Sequence, residues 1–129
     1  MAVNYRIEQG ERIVYLTVTG ESPFAEWEGV LRRVISDPAY VRGFNFLTDR
    51  RAQTDVTGPE FPRQVLRFLV EHTGEMGRYR WAAVSQREAT FQMLRMFSVL
   101  AEEADIHVRV FEDYEEARGW LLGGAAAGA

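Results

Sequence analysis

The sequence contains neither cysteine nor lysine, and all fifteen of its basic residues are arginine. Without cysteine there is no thiol nucleophile, disulfide or cysteine metal site. Without lysine there is no Schiff base and no phosphate-binding lysine of the Walker type. Several large classes of enzyme are therefore excluded.

Long apolar segments and basic runs are also missing. The N-terminus, MAVNYRIEQGER, lacks the basic start and apolar core of a signal peptide, and no apolar run approaches the roughly 18 residues of a membrane span. The net charge is −4, and the arginines are scattered between Arg6 and Arg118. We therefore predict a cytoplasmic protein with no membrane span and no nucleic-acid partner.

The 129 residues are 47% hydrophobic, which suits one domain with a substantial core. We predict a single domain over residues 1–122. The last seven residues, GGAAAGA, offer no bulky side chain to pack. They predict a flexible tail over residues 123–129.

The apolar patterns predict alternating strands and helices. Residues 3–9 and 12–19 flank Gly10-Glu11, which indicates an N-terminal β-hairpin with a two-residue turn. Further strands are predicted at 44–49, 78–85 and 106–111, and helices at 23–36, about 59–72, 86–105 and 113–122. Such alternation implies an α/β domain with about five strands in a mainly parallel sheet and four helices.

The strands are apolar on both sides, as expected when both faces of a sheet are buried. If the strands lie side by side in chain order, right-handed crossovers place the helices on one face. The other face then needs cover. A homodimer is one way to provide it, and the edge hairpin or extra loops are another.

The segment VRVFEDYEEARGWLL resembles the closing strand and helix of SpoIIAA-like proteins in the STAS family, named for sulfate transporters and anti-sigma-factor antagonists. WAAVSQREATFQMLRMF is similar to the strand and helix before it. The resemblance covers most of residues 3–122 and implies a SpoIIAA-like βαβ superhelix. It also implies a small stand-alone bacterial protein that regulates by contact with other proteins.

In characterised members of this family, a partner kinase phosphorylates a serine or threonine at the start of the helix after the third strand. The matching place here reads Asp55-Val56-Thr57-Gly58. The resemblance thus makes Thr57 the candidate phosphoacceptor and Asp49 the aspartate that ends the third strand. The motif is incomplete, because valine replaces the first serine and prolines follow the glycine.

Thr57 also has a structural interpretation. With Glu60 three residues later it matches a capping box, in which the threonine accepts a hydrogen bond from an early helix amide. Similar patterns at Ser22, Ser85 and Asp113 predict a side-chain cap for every helix.

The prolines leave the start of the second helix open. With Thr57 as cap, Pro62 would be the fifth helical residue, where its ring and missing amide disturb the turn. A helix that starts nearer Pro59 tolerates Pro62 and leaves Thr57 outside.

The carboxyl ends of the third, fourth and fifth strands suggest a different function. Ligands of open α/β sheets bind outside these ends. A small-molecule or anion-binding module is therefore the alternative to a regulatory domain. Its candidate residues are Asp49, Arg50, Arg51, Asp55, Ser85 and Arg87.

The two histidines indicate no reaction. Neither His72 nor His107 has a second histidine at metal-ligand spacing. A triad of Ser85, His107 and Asp49 can be written on paper, but no nucleophile-elbow motif accompanies it. We therefore predict a non-enzymatic regulatory or protein-interaction domain without metal or cofactor, which binds a protein partner that the sequence does not identify.

Overall fold

The computed structural model describes residues 2–54 and 58–123. The strands are β1 (Val3–Glu8), β2 (Ile13–Gly20), β3 (Asn45–Gln53), β4 (Arg80–Val84) and β5 (His107–Phe111). The helices are α1 (Phe24–Ser36), α2 (Glu60–Glu71), α3 (Thr73–Met76), α4 (Glu88–Glu103) and α5 (Tyr114–Leu122). The short α3 is an addition to the four predicted helices.

The five strands form one sheet in the order β1-β2-β3-β4-β5. β1 pairs antiparallel with β2, and every later neighbour pairs in parallel. The predicted α/β class with a mainly parallel sheet is thus confirmed. Because the strands lie in chain order, both β1 and β5 are edge strands.

The predicted two-residue turn of the hairpin is wrong. Glu8 pairs with Ile13, so residues 9–12 form the connection. Arg12 adopts a left-handed conformation with φ of 60°, and its carbonyl accepts a hydrogen bond of 2.9 Å from the Asn45 amide. This bond ties the end of the hairpin to the start of β3, a long-range contact that local turn propensity does not encode.

The main core lies between one face of the sheet and helices α1, α2 and α4. Each of these helices is part of a crossover between parallel strands, which explains their common side. Aromatic rings dominate the packing: Phe46 and Trp81 stack with centroids 4.3 Å apart, and Trp27 meets Phe68 edge-on at 5.4 Å. All four side chains are buried.

Helix α5 covers the opposite face of the sheet. Its Ala117 and Leu121 pack on Ile13, Leu47 and Ala82 in a second apolar cluster. Since α5 follows the last strand, no crossover constrains its side. The expectation that all helices share one face is therefore wrong.

The rest of this second face is polar. On β1 and β2 it carries the exposed side chains of Asn4, Arg6 and Thr17. The apolar surface that motivated a homodimer is therefore covered within the chain, and dimerisation stays a prediction.

Strand β3 continues four residues beyond the predicted end at Asp49. Thr17 of β2 pairs with Asp49, while Thr19 pairs with Ala52. Between these two pairs, β3 therefore has one residue more than β2. The extra residue is a β-bulge, which leaves two successive side chains on one face. Beyond the bulge, Gln53 returns to the face that carries Arg50.

The caps agree with prediction at one helix. The Asp113 carboxylate accepts a 2.8 Å hydrogen bond from the Glu115 amide at the start of α5, and a longer one from Glu116. At α1, Pro23 occupies the N-cap, so the predicted cap at Ser22 is wrong.

The other two helices begin later than the capping patterns predicted. The N-cap of α4 is Arg87, so the predicted cap at Ser85 is wrong. The N-cap of α2 is Pro59, and Pro62 lies in the first turn, where a missing amide is tolerated. This confirms the later start for α2. Thr57 itself lies outside the described residues.

Candidate functional site

Six polar or charged residues of the described chain are buried, and all lie toward the carboxyl end of the sheet. Burying a polar group lowers the stability of the folded state unless the group is hydrogen-bonded. A cluster of buried polar residues is therefore a candidate functional site. The six residues are Ser22, Thr48, Arg50, Gln53, Ser85 and Thr90.

Arg50 is the central group of this site. Only 4% of the residue is exposed, although it carries a full positive charge. Its Nη1 donates a 3.0 Å hydrogen bond to Gln53 Oε1, and its guanidinium carbon lies 5.3 Å from the centroid of the Phe61 ring. Both contacts stabilise the buried guanidinium, since a cation is attracted to a carbonyl oxygen and to an aromatic face.

Arg50 borders a small cavity between the sheet and helices α1, α2 and α4. The cavity has a volume of about 30 Å³, which is enough for a water molecule. Its walls are mostly apolar, and Thr48 is a further polar residue among them. The space fits one small polar group beside Arg50.

Thr48 and Trp81 make a buried polar contact in the wall of this cavity. The Trp81 indole Nε1 donates a 2.7 Å hydrogen bond to Thr48 Oγ1. Thr48 and Trp81 are on neighbouring strands and face α1, α2 and α4. The bond satisfies an indole N–H that would otherwise be buried without a partner.

Gln53, the last residue of β3, is held at two points. Arg50 donates to its side chain, and Arg87 Nη1 donates a 2.9 Å hydrogen bond to its backbone carbonyl. Arg87 is otherwise exposed and stands at the N-cap of α4. Two guanidiniums from different elements thus fix the point where the chain leaves the sheet.

Asp49 and Arg51 lie on the opposite face of β3. The Arg51 guanidinium donates hydrogen bonds of 2.9 and 2.8 Å to the two Asp49 carboxylate oxygens, and the Arg51 amide donates a third of 3.0 Å. Burial alone would raise the pKa of Asp49, but these bonds hold it below its ordinary value. Arg51 also lies over the Tyr114 ring of α5 at 5.0 Å.

The structure therefore divides the predicted ligand residues between two places. Arg50 and Arg87 meet at Gln53, whereas Asp49 and Arg51 pair with each other beside α5. The residues expected in a loop after β3 belong to the strand itself. Asp55 and Thr57 lie outside the described residues.

Ser85 follows β4 directly and is fully buried. Its hydroxyl accepts a 3.3 Å hydrogen bond from the Arg87 amide, which shapes the turn into α4. His107, by contrast, pairs with Arg80 at the other end of β4. At ~3.3 Å per residue, about 16 Å separates Ser85 from His107, so the triad written from the sequence does not assemble.

Sequence reasoning missed Gln53 and Thr48. A glutamine in a polar stretch and a threonine in an apolar strand carry no chemical signature of their own. A spacing signal for Gln53 is also absent, because its place beside Arg50 depends on the bulge in β3.

The structure is similar to the crystal structure of an uncharacterized protein of the DUF3478 family with a SpoIIAA-like fold from Shewanella loihica PV-4. The TM-score is 0.60 at 18% sequence identity, and the match covers 93% of this chain and 92% of that chain. The fold is SpoIIAA-like. At this identity the likeness establishes the fold alone, and it confirms the fold that the sequence resemblance implied.

No family model and no curated protein matches the sequence. Within residues 2–54 and 58–123, no helix of this SpoIIAA-like fold is long and apolar enough to cross a membrane.

Proposed function

We propose that this protein is a non-enzymatic regulatory domain that acts by contact with another protein at the carboxyl ends of β3 and β4. The observation that carries the proposal is the double hold on Gln53 by Arg50 and Arg87. It fixes the end of β3, from which the chain leads to Thr57, the residue that the family resemblance makes the phosphoacceptor.

The charges around this point support a switch. A phosphoryl group adds about −1.5 to −2 charges at neutral pH. Arg51 and Arg87 are exposed at the same end of the sheet, where a change of this size alters the local potential. Since α2 has Pro59 as its N-cap, the hydroxyl of Thr57 is not required to start that helix.

The test is mass spectrometry of the protein purified from its native cells under several growth conditions. We expect phosphate on Thr57, and we expect Thr57→Ala to change which protein co-purifies. Thr54→Ala is the matched control, because Thr54 is an exposed threonine three residues earlier. The phosphorylation part of the proposal would be contradicted if Thr57 is unmodified under every condition and Thr57→Ala leaves the co-purifying proteins unchanged.

A second candidate function is binding of a small anion, and the buried guanidinium of Arg50 beside a cavity favours it. A carboxylate or phosphate would place an oxygen in this cavity, beside the Arg50 guanidinium. A ligand that binds only the native state raises the melting temperature. Phosphate, sulfate and acetate should raise it for the wild type but not for Arg50→Met, with exposed Arg63→Met as control.

A homodimer and a cytoplasmic location are further parts of the proposal. Light scattering at several concentrations tests the dimer directly. A monomeric mass at the highest concentration would remove that part and leave the proposed contact with another protein unaffected.

A further inference from the structure

Strand β5 has a free edge. It pairs with β4 on one side, and no strand of the described chain lies on its other side. The Phe111 carbonyl accepts a 3.0 Å hydrogen bond from the Ser85 amide, so the backbone groups of Phe111 point toward β4. Because these groups alternate along a strand, those of Val108 and Val110 point away from the sheet.

Basic and aromatic side chains flank this edge on the side of α5. His107 and Arg109 are exposed on β5, and Arg80 is the register partner of His107 on β4. The guanidinium carbons of Arg80 and Arg109 lie 5.4 and 5.9 Å from the centroid of the Trp120 ring. Two cations are therefore held beside one half-buried indole.

The other side of the edge is formed by α4. Val108 and Val110 are half-buried and pack against the main core. Ser98 and Glu102 of α4 border an open groove of about 530 Å³ that reaches round to Trp120. Among the residues that line the groove, Glu102 is acidic, whereas Arg80, Arg109 and His107 are basic.

We infer that β5 binds an extended acidic segment of a partner protein, which pairs with the sheet as a sixth strand. Its backbone bonds to the outward groups of Val108 and Val110, as in other cases of strand addition. Alternate acidic side chains lie over Arg109 and its basic neighbours, and apolar ones face α4. The surface is separate from the Arg50–Gln53 site, so the inference holds whether or not that site is a switch.

Charge argues against a second copy of this chain that pairs in the register centred on Arg109. Two β5 strands paired antiparallel about a two-fold axis through Arg109 would bring the two Arg109 side chains opposite each other. Like charges directly across a strand pair are destabilising. Charged side chains on an edge strand commonly prevent such self-pairing. An acidic segment instead meets charges of opposite sign.

The probe is a blocked seven-residue peptide in which glutamate alternates with valine and threonine, titrated into the full chain and followed by amide NMR. We expect the largest shifts at Val108 and Val110, with weaker binding at high salt. Arg109→Ala should weaken binding about three- to fivefold, the size expected for an exposed ion pair. Arg67→Ala, an exposed arginine on α2, is the matched control.

Two further peptides separate strand pairing from charge alone. A lysine version should not bind, and a version N-methylated along one edge should lose binding although its charges are intact. The inference is overturned by an absence of binding, by shifts centred away from β5, or by equal binding of the N-methylated peptide. Self-association of the protein through β5, seen as concentration-dependent shifts at Val108 and Val110, would also overturn it.

Discussion

Arg50 donates a 3.0 Å hydrogen bond to Gln53 on the same strand, although residues three apart in a regular strand face opposite sides of a sheet. The β-bulge between Asp49 and Ala52 explains this contact, because the extra residue places the Gln53 side chain on the same face as Arg50. The irregularity thus creates the polar site, while Asp49 and Arg51 remain together on the other face.

The Arg50–Gln53 bond can be measured by a double-mutant cycle in urea. Arg50→Met and Gln53→Leu should each lower the free energy of unfolding by about 1–3 kcal/mol, since each removes a hydrogen bond from a buried polar side chain. The double variant should cost less than the sum, with a coupling of about 1 kcal/mol or more. Arg63→Met, on the exposed side of α2, should change stability by less than ~0.5 kcal/mol. Additive costs would contradict the bond.

The Thr48–Trp81 contact predicts a difference between two threonines. Thr48→Val preserves the side-chain shape but leaves the Trp81 N–H buried and unpaired, so stability should fall by about 1–3 kcal/mol. Thr17→Val makes the same change at an exposed position of β2 and should be within ~0.5 kcal/mol of the wild type. Thermal or urea unfolding checks both, and equal effects would show that the indole has another partner.

The side-chain cap of α5 predicts that Asp113→Ala destabilises the protein more than Glu112→Ala does. Asp113→Ala should destabilise the protein by about 0.5–2 kcal/mol, because two amides at the start of α5 lose their acceptor. Its exposed neighbour Glu112 is the control, and Glu112→Ala should have little effect. Hydrogen exchange should also rise in α5 for Asp113→Ala only. Unchanged exchange there would contradict the capping role.

The Asp49–Arg51 pair predicts that the free energy of unfolding depends on pH. The folded pKa of Asp49 lies below its ordinary value of 3.8, so the unfolded chain binds a proton first as the pH falls. The stabilisation is therefore complete above the unfolded pKa and is lost as the pH falls through the folded pKa. The stability gap between wild type and Asp49→Asn should shrink between about pH 6 and pH 3. A constant gap would contradict the pair.

High salt provides a control for this pair. The Arg51 side chain is 41% exposed, so added salt should weaken the attraction and narrow the gap at pH 6.

The sequence was sufficient to predict the order of the five strands and the four longer helices, because that order follows from apolar periodicity. It also predicted the parallel sheet and the cap at Asp113. It did not predict the extent of β3, because residues 50–53, RRAQ, are polar and are held in the strand by pairing with β2. Such pairing is a long-range property that local composition does not contain.

The sequence also placed the site only approximately. It identified Arg50 and Arg87, but it grouped them with Asp49 and Arg51, which the alternation of β3 sends to the other face. The position of α5 was missed for a related reason, since a terminal helix has no second strand to fix its side. The order of the strands fixes the side of the sheet on which a connecting helix packs. It does not fix the side for a helix that follows the last strand.

The most direct test of the proposed function is site-specific photocrosslinking in the native cells. A photoreactive amino acid replaces Thr54 or Gln86, exposed residues just beyond the carboxyl ends of β3 and β4, and Val41 at the opposite end serves as an exposed control. We predict that positions 54 and 86 capture the same partner protein and that position 41 does not. Capture from position 41 alone, or from all three positions equally, would contradict a working surface at the carboxyl ends of β3 and β4.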